Sequence, residues 1–261
     1  MRRPLRRLVP RPGSATLGGP LVHLDVTGST NDQARELALG GAPHGTTVVA
    51  EEQTAGRGRQ GRTWSAPPGR ALTLSVVCRL TDGAMDLLPL AAALAVCDAC
   101  EAVAGVGCQV KWPNDVWIDG RKVAGILIEA RPQERWAVVG IGLNVDTAPD
   151  EMDPALRETA TSLRIATGAP VSRDGALESL LGGLADWLGA LETPARVTEA
   201  FRERDALYGR KISWKRDSTT MSGEARGIDD AGALVVFTGP DSEPVRLDAG
   251  EVHLERPVDS T

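Results

Sequence analysis

Residues 55–64 read AGRGRQGRTW, and within them Gly56, Gly58 and Gly61 spell the spacing G-x-G-x-x-G. In a dinucleotide-binding fold such glycines open a helix whose N-terminus holds a pyrophosphate, and an acidic residue about 20 positions on meets the ribose. Neither condition is met. Trp64, Pro67, Pro68 and Gly69 follow and oppose a helix, and the first acid beyond the loop is Asp82, in a turn. The flanking runs, TTVVAEEQ before and ALTLSVVCRL after, are β-branched and apolar, so the stretch joins two strands. What it carries instead is Arg57, Arg59 and Arg62 among glycines. That is flexible backbone bearing planar, permanently charged donors that match carboxylate and phosphate oxygens. Read alone, it is a mobile anion clamp or a solvated basic turn in equal measure.

Outward from the loop, LVHLDV reads as a strand, and STNDQARELALGG as a helix with Thr30 and Gln33 in a capping box and Gly40 just past its end. Downstream, a helix is expected over about Asp86–Ala104. CQVKWPNDVWIDGRKVAGILIEA then forms two apolar-alternating runs around Asp119-Gly120, a strong hairpin signal. WAVVGIGLNVD is a further buried strand, which makes this region a mixed or antiparallel sheet flanked by helices. A polar, irregular segment over 147–169 precedes two helical stretches, SRDGALESLLGGLADWLGALE and ARVTEAFRERDAL. From Leu207 the pattern changes to short strands at close spacing, KISWKR, GEARGID, ALVVFTG and VRLDAGEVHLE. They read as a small β-barrel near the lower size limit of an independent domain. The expected division is an extension over 1–20, a catalytic domain over 21–206 and a barrel over 207–261.

The 261 residues suffice to bury a substantial core, and the net charge of −6 argues against a general nucleic-acid or membrane-surface binder. No run approaches the roughly 18 apolar residues of a membrane span, so a cytoplasmic protein is expected. The start, MRRPLRRLVPRPG, lacks a signal-peptide core and reads as a disordered extension, with a targeting peptide as the lesser reading. Cys78, Cys97, Cys100 and Cys108 do not make paired C-x-x-C clusters, and Cys97 and Cys100 sit in an alanine- and leucine-rich run. Core packing in a reducing compartment is favoured over metal or redox chemistry. With His23, His44 and His253 the only histidines, a multi-histidine metal site is not expected.

Lys111, Trp112, Pro113, Asn114 and Asp115 lie on the first arm of the hairpin and Lys122 just after its turn. Such polar groups beside an apolar sheet are costly unless paired or functional. Asp115 pairing a lysine and Asn114 capping a turn would be the purely structural account. Gly140 and Gly142 allow close approach of a ligand to backbone, or mark a bulge.

Taken in order, GSTND, EEQTAGRGRQGRTW, KWPNDVWIDGRKVAGILIE and GIGLNV closely resemble the biotin protein ligases, and the resemblance covers nearly everything from Leu21 on. It implies an α+β fold: a catalytic domain like that of the class II aminoacyl-tRNA synthetases, followed by an SH3-like β-barrel. It also implies biotin as substrate and ATP with Mg2+, giving biotinyl-5′-adenylate and pyrophosphate, then transfer to a lysine of a biotin carboxyl carrier domain of an acyl-CoA or pyruvate carboxylase. By matched position, Lys122 is the principal catalytic cation, with Arg57 and Arg59 gripping carboxylate and phosphates and Asp115 the candidate base or orienter. Ser29, Thr30, Gln53, Gly56, Gly125 and Gly142, with Arg57, Arg59 and Lys122, fall on the biotin site. Trp64, Lys111, Asn114 and Asn144, with the same three cations, fall on the nucleotide site. The metal ligands are unassigned.

Some members carry an N-terminal DNA-binding domain. About 20 residues precede the first strand here, too few for one, so no DNA partner is expected. An unpaired sheet edge would allow a homodimer, though the sequence locates none. A lipoate or octanoate ligase of the same fold is the nearest alternative, and a non-catalytic binding module the next. Leu207–Thr261 holds more acids than bases, which weakens a nucleic-acid version of the latter.

Overall fold

The computed structural model describes residues 17, 19–79, 85–239 and 242–255. Apart from Leu17, Gly19 and Pro20, the extension expected over 1–20 lies outside the described residues.

In chain order the elements are β1 (Leu21–Thr27), α1 (Thr30–Leu39), β2 (Thr47–Gln53), β3 (Ala71–Arg79), α2 (Leu88–Ala104), β4 (Gln109–Lys111), β5 (Asp115–Ile118), β6 (Arg121–Arg131) and β7 (Trp136–Asn144). There follow α3 (Leu163–Thr167), α4 (Arg173–Gly189) and α5 (Pro194–Glu203). The chain then enters β8 (Lys211–Arg216), β9 (Thr219–Ile228), β10 (Leu234–Phe237), β11 (Val245–Leu247) and β12 (Val252–Leu254).

The first seven strands form one sheet in the order β1-β2-β3-β7-β6-β5-β4. β1 runs parallel to β2, and every other neighbouring pair is antiparallel. Side-chain alternation sorts the two faces. Leu72, Leu74, Val76 and Cys78 of β3 and Ala137, Val139, Ile141 and Leu143 of β7 join α2 and α4 in the large core. Burying each such Val or Leu contributes roughly 1.5–3 kcal/mol. On the opposite face, Val48, Val77 and Val138 pack beneath Ala34 and Ala38 of α1. Continuing along that face of β7, Gly140 lies under Asn31 at the start of α1, and Gly142 lies beyond the helix under Trp64. The short α1 therefore covers only part of its face, and the remainder is where a ligand can reach the sheet.

Local chemistry explains most boundaries. Asp119 and Gly120 both take positive φ, 50° and 75°, the I′ geometry that matches the twist of a two-residue hairpin. The capping box does not form. Ser29, not Thr30, is the N-cap of α1, and it makes no side-chain cap bond. Thr30 instead turns its N–H and hydroxyl to Gln53 Oε1 at 2.7 and 3.0 Å. The first arm of the hairpin is not continuous either: Trp112-Pro113-Asn114 separates β4 from β5, since proline cannot donate to a ladder. The irregular segment holds an unexpected short helix, α3, capped by the Ser162 hydroxyl accepting from Ile165 N–H and closed by Gly168 at φ +71°.

The last five strands pair in the order β11-β10-β9-β8-β12, all antiparallel. Ile212, Trp214, Ala225, Leu234, Val236 and Val252 from this sheet belong to the same apolar cluster as α2 and β4. Trp112 Nε1 donates to Gly232 O at 3.0 Å, and a Cβ on Gly232 would come within 2.7 Å of Leu87 Cδ2. Gly232 also takes φ +84°, a backbone conformation that favours glycine where the β9–β10 turn meets α2.

Candidate active site

The uncovered part of the α1 face is a cleft. Ser29, Thr30 and Asn31 line it from the first turn of α1, Gln53 from β2, Arg57, Arg59 and Trp64 from the glycine-arginine loop, and Asn114, Lys122, Gly125 and Gly142 from the hairpin and β7. Of the residues the sequence pointed to, Gly56, Lys111, Asp115 and Asn144 are not among those that line it. Gly56 is structural, because a Cβ there would sit 2.4 Å from Trp64 O. Asn144 is buried and donates to Thr161 O at 3.0 Å. Lys111 lies 5.5 Å from the Trp117 ring centroid. Burial lowers its ammonium from the ordinary value, against the raising influence of Asp115 and Glu251.

Lys122 reaches the cleft through an irregularity in the strand. Val116 faces Ala124 but Trp117 faces Lys122, so Val123 is an extra residue on β6. Ala124 and Ile126 point into the large core, and without the bulge Lys122 would share their face. With it, Lys122 joins Gly125 on the cleft side, where its Cε and Nζ lie 2.9 Å from the position of a Gly125 Cβ. Asp115 Oδ1 holds Lys122 Nζ at 2.7 Å. The same lysine lies 5.9 Å from the Trp64 ring centroid.

The three arginines of the loop engage different parts of the chain. Arg57 NH2 donates to Asp32 Oδ1 at 2.8 Å and to Glu129 Oε2 at 3.1 Å. Arg59 NH1 donates to Asn114 Oδ1 at 3.0 Å. Arg62 pairs with Glu251, just before β12. Burial lowers the Arg59 guanidinium from its usual value, with Asp115 and Glu251 opposing. A small hairpin in the loop, closed by Gly58 N–H to Arg62 O at 2.7 Å and Trp64 N–H to Gly56 O at 2.9 Å, lays the Trp64 indole over the glycine floor. Its Nε1 is buried with no hydrogen-bond partner among the described residues.

Beneath the cleft runs a network that sequence reasoning missed. Ser75 Oγ lies 2.8 Å from Thr30 Oγ1 and 2.6 Å from Asn31 Oδ1, and Asn31 Nδ2 donates to Glu129 Oε2 at 2.8 Å. Its clearest signal was Ser75, a small hydroxyl residue inside the largely apolar run ALTLSVVC. Among the described residues no group of three His, Cys, Asp or Glu side chains could hold a metal ion, and no helix is long and apolar enough to cross a membrane.

The model of the biotin/lipoate A/B protein ligase family matches residues 24–146, the segment that carries the loop, the hairpin and the glycine floor of this cleft. The biotin--[acetyl-CoA-carboxylase] ligase of Paracoccus denitrificans is 38% identical, the match covering 87% of this chain and 97% of that protein. The bifunctional ligase/repressor BirA of Bacillus spizizenii is 36% identical, over 91% and 79%. A solved biotin protein ligase from Aquifex aeolicus, in complex with biotin and ATP, superposes with a TM-score of 0.79 at 26% identity, covering 91% of this chain and 99% of that one. Within the class, the chain belongs to the biotin protein ligases. The expected fold class, a class II synthetase-like core with an SH3-like C-terminal sheet, agrees with that superposition.

Proposed function

We propose that the protein activates biotin with MgATP to biotinyl-5′-adenylate and then transfers the biotinyl group to a specific lysine of a carboxylase's carrier domain. The observation that carries this reading is the convergence of Lys122 with Arg57 and Arg59 above Gly125 and Gly142. In the first step a carboxylate oxygen of biotin attacks the α-phosphorus of ATP, and the bond to the β-phosphate oxygen breaks to release pyrophosphate. Two anions must be brought together, and fixed cations aimed at the reacting phosphate stabilise the charge that develops. Lys122, oriented by Asp115, is the cation of that step, and Arg57 and Arg59 hold the carboxylate and phosphates from above. Ser29, Thr30 and Gln53 offer the donors and acceptors a neutral ureido ring needs, and Trp64 covers the nucleotide.

Mg2+ fits a site without a protein cage, because it keeps water and is commonly held by substrate phosphates with one or two carboxylates. When bound it neutralises phosphate charge.

The mixed anhydride is destroyed by water, so a loop folded over it acts as a shield. In the second step the carrier amine attacks the acyl carbon and AMP leaves. About one in 2,500 such amines is neutral at pH 7 for an ordinary lysine. Asp115, paired with Lys122 at 2.7 Å, is our candidate for the group that orients or deprotonates it once Lys122 is engaged with phosphate.

The test is pyrophosphate release from MgATP with biotin, lipoate or octanoate as the only acid, followed by addition of a biotin carboxyl carrier domain. Release with biotin and a biotinyl mass increment on one carrier lysine are expected. Release with lipoate or octanoate alone would overturn the assignment.

A further inference from the structure

Arg57 makes both of its protein contacts through one nitrogen. Asp32 and Glu129 each accept from NH2, which consumes its two N–H bonds. The remaining three donors of the guanidinium, on NH1 and Nε, have no hydrogen-bond partner recorded among the described residues. The two carboxylates are not equivalent. Asp32 is 41% exposed on the outside of α1, whereas Glu129 is 28% exposed at the cleft edge of β6.

Glu129 is also held from behind. Its Oε2 accepts from Asn31 Nδ2, and Asn31, only 3% exposed, is fixed in turn by the fully buried Ser75 hydroxyl. Gly140 makes room for that amide, since a Cβ there would stand 2.0 Å from Asn31 Oδ1. A buried serine, a buried asparagine and a glycine without which the asparagine would not fit all converge on one carboxylate. An ion pair that merely solvates a surface arginine contributes little and requires no such support.

We infer that Glu129 is a positioning residue for acid activation, an inference that rests on the proposed ligase reading. It pins the NH2 corner of Arg57 at the cleft edge, so that the free donors on NH1 and Nε are presented to the anionic substrate before it arrives. Preorganising a long, flexible cation in this way lowers the ordering cost of binding.

The test is Glu129→Gln, which keeps an acceptor for Asn31 but removes the charge that holds Arg57. At saturating MgATP, the KM for biotin in pyrophosphate release should rise about tenfold or more, with a smaller change in kcat and a melting temperature within a few degrees of wild type. Trypsin should cut after Arg57 faster in the variant. If Glu129→Gln folds poorly, Glu129→Asp, which keeps the charge and shortens its reach, should show the same changes at reduced size. An unchanged or lowered KM with unchanged cleavage would overturn the inference. Wild-type protein that releases no pyrophosphate with biotin would instead overturn the ligase reading, and the trypsin comparison would still judge the Glu129–Arg57 contact.

Discussion

Gly125 of β6 and Gly142 of β7 are direct cross-strand partners, and the Trp64 indole lies over both. A Cβ on Gly142 would stand 2.3 Å from Trp64 Cε2, whereas one on Gly125 would reach Trp64 Cζ3 at 3.5 Å. Gly142→Ala must therefore expel the indole. We expect biotin-dependent pyrophosphate release to fall by about a hundredfold, in the range of a lost oriented group, while the circular dichroism spectrum stays native. Activity within threefold of wild type would show that Trp64 is free to leave.

Lys122 owes its orientation to Asp115 at 2.7 Å. Lys122→Met should lower the rate of adenylate formation by about 10²–10³-fold, the usual cost of removing a group aimed at developing charge. Acyl transfer from added biotinyl-adenylate to a carrier domain should suffer less. Equal losses in both half-reactions, measured in single turnovers, would argue that Lys122 holds the nucleotide throughout.

Asp205, at the junction between α5 and the C-terminal sheet, is pushed up to about 6 by burial, although Leu207 and Tyr208 N–H groups oppose the shift. The folded chain thus retains a proton that the unfolded chain releases near pH 4. From this group alone, stability is lost as pH rises from about 4 to about 6 and stays low above that, by up to roughly 3 kcal/mol for a shift of some two units. Asp205→Asn should melt higher than wild type at pH 7.5, with the gap closing below pH 4. A gap of the opposite sign in a pH series of thermal melts would refute this account.

All four cysteines are free and buried, yet they are not chemically alike. Burial drives the Cys78 thiol up to about 12. Cys97 and Cys100 both hydrogen-bond Cys108, and Arg204 adds positive charge, so Cys108 falls well below the ordinary thiol value while its two partners rise. Limited iodoacetamide treatment of the folded protein at pH 7 should mark Cys108 first and Cys78 last, read by peptide mass spectrometry. Arg204→Met should slow the first event, and labelling of Cys97 ahead of Cys108 would contradict the assignment.

The sheet was legible in the sequence wherever a residue answered to its neighbours along the chain. Asp119-Gly120 announced a hairpin because its positive φ values are a local demand, and the loop was separated from a dinucleotide turn by the prolines after it. Thr30 was misread because a capping box is also local, and the pull of Gln53 comes from a strand more than twenty residues away. Asn31 and Glu129 were missed for the same reason, and Ser75 gave only the hint of a hydroxyl in an apolar run. None of the three reveals its partners in its own segment, and only folding brings α1, β3 and β6 together around them. Lys111 pairs with Asp115 across β4 and β5 and Asn144 donates to the Thr161 carbonyl, contacts made across the fold that no motif announces.

The extra residue at Val123 has a consequence that any engineer of this chain would meet. Upstream and downstream of it, β6 is read in two different frames, and the lysine and the glycine floor are brought into phase only because the frame slips once. Removing Val123 would restore a regular strand and, with no change to any residue in the cleft, hide the ammonium in the core or break the pairing with β5. The cation is placed by a count along the chain as much as by any contact it makes.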